Sequence, residues 1–143
     1  MRSHIVFRAV AGALCAAALT VSAAATSSAA VSPSLSVTPA ANLADGADIT
    51  VSVSGFGAGE QVYASQCAET SAGVVCNLPD TLVLVPDASG NASGQTWARK
   101  TFTGSSPTGE TVTVDCATVP NGCFFGAGTQ TGPGATPVPL SFV

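Results

Sequence analysis

The chain has 143 residues, 46% of them hydrophobic but only 8% charged, with 15 glycines and 9 prolines, which allows one domain with a modest core and many turns. Four bases stand against eight acids, for a formal net charge of −4. That balance excludes the basic patch by which proteins release counterions from nucleic acid or hold an anionic membrane.

The first segment sets Arg2 and Arg8 before the apolar run "AVAGALCAAALTVSAAA", and small residues ending "SSAA" lead to Val31. A charged start, a short apolar stretch and small residues at a cut predict a secretory signal over residues 1–30, cleaved after Ala30 with Ser28 and Ala30 at the small positions. The run is alanine-rich and short of the ~20 strongly apolar residues of a spanning helix, so no membrane anchor is expected. Cys15 lies inside the run behind Leu14, where a lipoprotein would need a small residue. Residues 31–143 then carry all eight acids against two bases, Arg99 and Lys100, a net charge of −6. His4, Met1 and Cys15 fall in the first segment, which leaves four cysteines and neither histidine nor methionine.

Beyond Val31, short runs alternate apolar and polar residues: "LSV" at 35–37, "ITVSVS" at 49–54, "VYASQCA" at 62–68, "TVTVDC" at 111–116 and "PLSFV" at 139–143. Period-two alternation is the pattern of half-buried strands. The intervening "ADG", "GFGAG", "PDASGNASG" and "SSPTG" supply turn residues. A strand about every ten residues predicts an all-β sandwich in a single domain, 31–143. "TLVLV" at 81–85 breaks the alternation and reads as a strand covered on both faces, or with one face lining a cleft. Trp97 is expected as a core filler, and Arg99 and Lys100 as neighbours on opposite faces of one strand.

Four cysteines allow three pairings. Cys67 and Cys76 enclose "AETSAGVV", and Cys116 and Cys123 enclose "ATVPNG". These spacings are too wide for zinc knuckles, which also favour histidine, and for a two-residue redox pair. Each local pair sits at the feet of a hairpin loop, so local pairing is expected, with no metal site. With no histidine after residue 30 and the thiols oxidised, neither a Ser-His-Asp nor a Cys-His arrangement can form. The carboxylates stand mostly in turns, and Lys100 has no recognisable serine partner, so no catalytic residue is assigned. Phe124 and Phe125 must face opposite sides of a strand. Two outcomes stay open: one ring in the core and one under a hairpin, or one ring walling a cleft floored by Gly126 and Gly128.

The ordered set "LSVTPAANLADGADITVSVSGFGAG", "QCAETSAGVVCN", "PDASGNASGQTWARKTFTG", "TVDCATVPNGC" and "PLSFV" resembles the neocarzinostatin family of enediyne chromoprotein apoproteins, over essentially all of residues 31–143. The resemblance implies a seven-stranded immunoglobulin-like antiparallel sandwich, with a small β-ribbon subdomain forming a ligand cleft. It implies a secreted, extracellular, monomeric carrier that is not an enzyme. In this family a labile enediyne chromophore is held without a covalent bond, and the released chromophore is the DNA-cleaving antibiotic, so DNA is a partner only through the chromophore. It also implies the bridges Cys67–Cys76 and Cys116–Cys123, and a cleft lined by Val74, Thr81, Leu82, Pro107, Phe124 and Gly128. Four positions depart from the family pattern: Ser105 and Pro107 stand in a loop where neocarzinostatin has aromatics, Glu69 replaces an aromatic, and Phe124 replaces a polar residue. A differently shaped chromophore, stacked on Phe124, is the expectation. The alternative is a secreted sandwich that binds carbohydrate or protein without a small-molecule cargo; a peptidase acting on basic proteins would suit the charge but lacks recognisable catalytic groups.

Overall fold

The computed structural model describes residues 31–143; the expected signal segment, 1–30, lies outside the described residues. Ten strands follow in order: β1 (Ser34–Thr38), β2 (Ala47–Ser54), β3 (Val62–Thr70), β4 (Gly73–Cys76), β5 (Leu82–Leu84), β6 (Ala92–Ala98), β7 (Thr101–Ser105), β8 (Thr111–Asp115), β9 (Cys123–Gly128) and β10 (Val138–Leu140). A single 3-10 turn, Leu78–Asp80, separates β4 from β5.

The alternation seen in sequence dictates which faces meet. In β2, Ile49, Val51 and Val53 are buried while Asp48, Thr50 and Ser52 point away. A three-stranded sheet in the order β1-β2-β6 lays this buried face on β10, β9, β3 and β5 of a wider sheet, which makes seven strands in the sandwich. All pairings within the two sheets are antiparallel. Phe125 is the largest fully buried side chain, 1% exposed, and packs with Leu43, Ile49, Val51 and Val62.

The wider sheet continues past the sandwich as β4, β7 and β8, and this ribbon has its own small core of Ala68, Val75, Phe102, Val114, Cys116 and Cys123. The division arises on β3. Its early residues, Val62–Ala64, pair with β5, and its late residues, Cys67–Thr70, pair with β4. β9 runs along the other edge from Tyr63 to Ala68.

Three expectations change. Arg99 and Lys100 do not share a strand; they form the link between the end of β6 at Ala98 and the start of β7 at Thr101. Trp97 is not a core filler; it is 49% exposed, because the parity of β6 turns Thr96 and Ala98 inward. Phe125 fills the core instead. The apolar run at 81–85 also alternates after all: Leu84 is buried, while Val83 and Val85 are 50% and 58% exposed. A run of consecutive apolar residues conceals its parity, which only the pairing partner reveals.

A candidate ligand cleft at the fork

The fork between sandwich and ribbon falls at residues 77–81, opposite the middle of β3. Asn77 donates its backbone N–H to Gln66 O at 2.8 Å, and the hydroxyls of Ser65 and Thr81 meet at 2.5 Å. Asn77 Nδ2 also donates to Asp80 Oδ2 at 2.9 Å. These bonds hold the connecting segment against β3 where neither β4 nor β5 can pair with it.

Facing pairs share a side of a sheet, so the register assigns the outer face of the wider sheet. On β3 this face carries Tyr63, Ser65, Cys67 and Glu69; their inward neighbours Val62, Ala64, Gln66 and Ala68 are all buried. On β9, Cys67 faces Phe124, Ser65 faces Gly126 and Tyr63 faces Gly128. On the ribbon side, Cys67 faces Cys76 and Glu69 faces Val74. Phe124 therefore lies outward, half-buried, beside the Cys67–Cys76 bridge, and Phe125 goes to the core. Of the two outcomes left open, the ring is on an open face.

The glycines beside it leave backbone bare. A Cβ placed on Gly126 would stand 3.7 Å from Cε2 of Phe124, so the ring leans along the strand over that residue. A Cβ on Gly128 would stand 3.4 Å from Gly134 Cα, where the 129–135 loop crosses. That loop is tied down by the Ala135 N–H to Ala127 O at 2.9 Å.

At the ribbon tip, Gly73 has φ +101°, which an L side chain rarely adopts, and Pro107 Cδ lies 3.2 Å from where its Cβ would be. Pro107 thus covers Gly73 at the ribbon tip, while the next residue, Val74, 45% exposed, shares the outer face with Glu69. Glu69 accepts a hydrogen bond from Asn121 Nδ2 at 3.0 Å, which links the first stapled hairpin to the second. Both bridges join the expected partners, with Cα–Cα distances of 4.0 Å for Cys67–Cys76 and 5.0 Å for Cys116–Cys123. They lie on opposite sides of the sheet. Cys67–Cys76 belongs to the outer face, and Cys116–Cys123 to the ribbon core.

Of the six residues expected at the cleft, Thr81 lies in the connecting segment, Phe124 and Gly128 on the outward side of β9, Val74 on the outward side of β4, and Pro107 over Gly73 at the ribbon tip. Leu82 does not join them. It faces Ala64 across β3, and its Cδ2 lies 3.0 Å from the Cβ position of Gly94, so it packs partly against the sandwich core. Val83, paired with Tyr63, takes the outward place. Tyr63, Ser65 and Val83, which sequence reasoning did not single out, share the outward face with Phe124. The parity of "VYASQCA" from Cys67 was the available signal for the first two.

A hollow of about 220 Å³ opens at the Tyr63 end of this face, lined by Glu60, Gln61, Tyr63, Thr129, Gln130 and Thr131. Tyr63 donates its hydroxyl to Gln61 Oε1 at 2.9 Å, and Gln130 Nε2 reaches that hydroxyl at 3.5 Å. Two others, of about 330 and 200 Å³, adjoin Phe56 near Val31, and the smaller shares Glu60 and Thr129 with the first. Phe124, Val74 and Pro107 line none of the three; around them the face is an open shelf. Among the described residues no three of His, Cys, Asp or Glu gather where they could hold a metal ion, and no helix is long and apolar enough to cross a membrane.

A seven-stranded sandwich whose wider sheet runs on into a cystine-stapled ribbon, with Phe124 on an open face beside the division, defines a class of small β-proteins. The chain belongs to the Neocarzinostatin family, whose model matches residues 35–142. It is 46% identical over 87 residues to the antitumor antibiotic C-1027 apoprotein of Streptomyces globisporus, and 45% identical over 87 residues to actinoxanthin of the same organism. Each match takes in 60% of this chain and 59% of the relative, so the chain spans under two thirds of those relatives' length. Apokedarcidin of Actinomycete sp. is 40% identical over 93 residues, 63% of this chain and 81% of its own. Among solved structures, macromomycin superposes with a TM-score of 0.66 at 28% identity, covering 76% of this chain and 99% of its own. Apokedarcidin superposes with a TM-score of 0.65 at 37% identity, covering 78% and 99%.

Proposed function

We propose that this protein is a secreted, non-catalytic carrier that binds, stabilises and delivers a non-covalently held enediyne chromophore. The observation that carries the reading is the shelf at the fork. Phe124 offers a ring, Gly126 and Gly128 offer backbone without side chains, and the Cys67–Cys76 bridge and Val74 add apolar surface on the same face, with Ser65 and Glu69 as polar neighbours. A flat apolar molecule fits such a surface, since offset stacking on an aromatic ring contributes about 0.5 to 1.5 kcal/mol beyond burial. Val74, Thr81, Pro107, Phe124 and Gly128 are the proposed contacts, joined by Tyr63, Ser65 and Val83. The chromophore, when bound, would supply the DNA-cleaving chemistry. The chain itself, at −6 over residues 31–143, would meet DNA only through it.

Two relatives support the reading by name: one is an antitumor antibiotic apoprotein, the other apokedarcidin. Export through a signal at 1–30 suits the two disulfides, which persist in oxidising compartments. The carrier is proposed to work as a monomer, without a metal. The test is a titration of the isotope-labelled secreted protein with planar polycyclic aromatic probes, followed by amide and methyl chemical shifts. Shifts centred on Phe124, Gly126, Val74 and Val83 are expected. Absence of binding, or shifts confined to the flank around Phe56, would overturn the proposal.

A further inference from the structure

The outer face of the three-stranded sheet, turned away from the shelf, has its own order. Register pairs Asp48 with Trp97, Thr50 with Gln95 and Ser52 with Ser93, three rungs of side chains on one face. Successive rungs are two residues, about 7 Å, apart along the strands. Ser52 and Ser93 already meet hydroxyl to hydroxyl at 3.0 Å. Trp97, 49% exposed, is the one aromatic among these rungs. Its indole is braced from one side by the Arg99 guanidinium, 5.7 Å from the ring centroid, which is itself fixed by Asp80 at 3.1 Å. A tryptophan held open at the end of rows of hydroxyls, a carboxylate and an amide has no part in the core or in the shelf.

We propose that this face binds a glycan bearing protonated amino groups, with one sugar ring stacked on Trp97 and an ammonium at Asp48. The rungs hold no aliphatic side chain, whereas a protein partner needs an apolar centre. A pyranose, by contrast, presents an apolar C–H face to an indole and hydroxyls at its rim, which Thr50, Ser52, Ser93 and Gln95 can both donate to and accept from. Charge selects among glycans. Asp80, not Asp48, pairs with Arg99, so among the described residues Asp48 has no ion-pair partner, and it stands opposite Trp97, whose indole Arg99 covers on one face only. Both attract cations, and the net charge of −6 over residues 31–143 repels polyanionic sugars while drawing in cationic ones. The proposal stands apart from the carrier reading, because no shelf residue takes part in it.

The chain has one tryptophan, so its fluorescence reports on Trp97 alone. The secreted protein, bridges intact, is titrated with a glucosamine oligomer, its N-acetylated counterpart, an oligogalacturonate and an oligolysine. The glucosamine oligomer is expected to shift the emission saturably, and less so at high salt. By calorimetry, Trp97→Ala should weaken that binding about tenfold, and Trp97→Phe should recover part of it. Asp48→Asn should remove the preference over the N-acetylated form, and Phe124→Ala should change nothing. No response to the glucosamine oligomer, undiminished binding by Trp97→Ala, or equal affinity for oligolysine would each overturn the assignment.

Discussion

Gln66 holds the backbone of Arg99 from both sides: its Nε2 donates to Arg99 O at 2.6 Å, and Arg99 N–H donates to its Oε1 at 2.8 Å. Arg99 lies where the chain leaves β6 in the narrow sheet and enters β7 in the wide one, so it has no strand partner there. A buried amide supplies the missing ladder and locks the ribbon to the sandwich. Gln66→Ala should strand two backbone groups and cost about 2 to 4 kcal/mol, read as a lower denaturant midpoint. Gln66→Leu, which restores volume but neither bond, should not rescue it. A midpoint unchanged in both variants would show that water can replace the amide.

The adjacent phenylalanines should respond oppositely. Phe125→Ala empties the centre of the sandwich core and should cost about 3 to 5 kcal/mol. Phe124→Ala removes a half-buried ring from the open shelf and should cost less than about 1.5 kcal/mol, while weakening the binding of planar apolar probes. Paired denaturation and probe titrations check both. A reversal of the stability order would mean that the two rings had exchanged roles.

Alternation and turn residues made the sandwich legible, because a period of two needs no knowledge of neighbours. The bridges were legible too, since each loop was short and local. What stayed hidden depended on partners. Leu82 and Val83 are interchangeable in "TLVLV" until β3 fixes which of them faces Ala64 and which faces Tyr63. Trp97 reads as core by residue type; only the inward turn of its neighbours Thr96 and Ala98 sends it outward. Gln66 carried no signal at all, because its role is set by a crossover more than thirty positions away, at a sequence separation of 33. Local chemistry is written in the sequence, and parity is decided by pairing.

The two bridges close loops of similar span, with sequence separations of 9 and 7, so chain entropy assigns each about 2.5 kcal/mol. Their surroundings differ. Replacing Cys116 and Cys123 by serine also places hydroxyls in the ribbon core, where Cys123 is 1% exposed, and should cost about 1 to 3 kcal/mol more than replacing Cys67 and Cys76. The outer pair should instead have the larger effect on probe binding, since it floors the shelf beside Phe124. Denaturation and titration of the two double variants separate these effects.

Gly104 and Gly126 both sit in strands, yet only one of them is required by packing. A Cβ at Gly104 would come within 2.8 Å of Val75 Cγ1 and closer still to Cys76 O, at the single point where β4 pairs with β7. Strand backbone cannot give way there without parting the ribbon, so Gly104→Ala should cost about 2 kcal/mol or more. Its ribbon amides should also exchange faster with solvent. At Gly126 the nearest atom would be the Phe124 ring at 3.7 Å, ordinary contact, so Gly126→Ala should stay within about 0.5 kcal/mol of the parent. The added methyl nevertheless stands on the shelf floor, and Gly126→Val should block a flat ligand that Gly126→Ala still admits. Hydrogen exchange on the first variant and probe titration on the other two decide the matter. A stable Gly104→Ala with unaltered exchange would mean that the ribbon is held by something other than the β4–β7 contact.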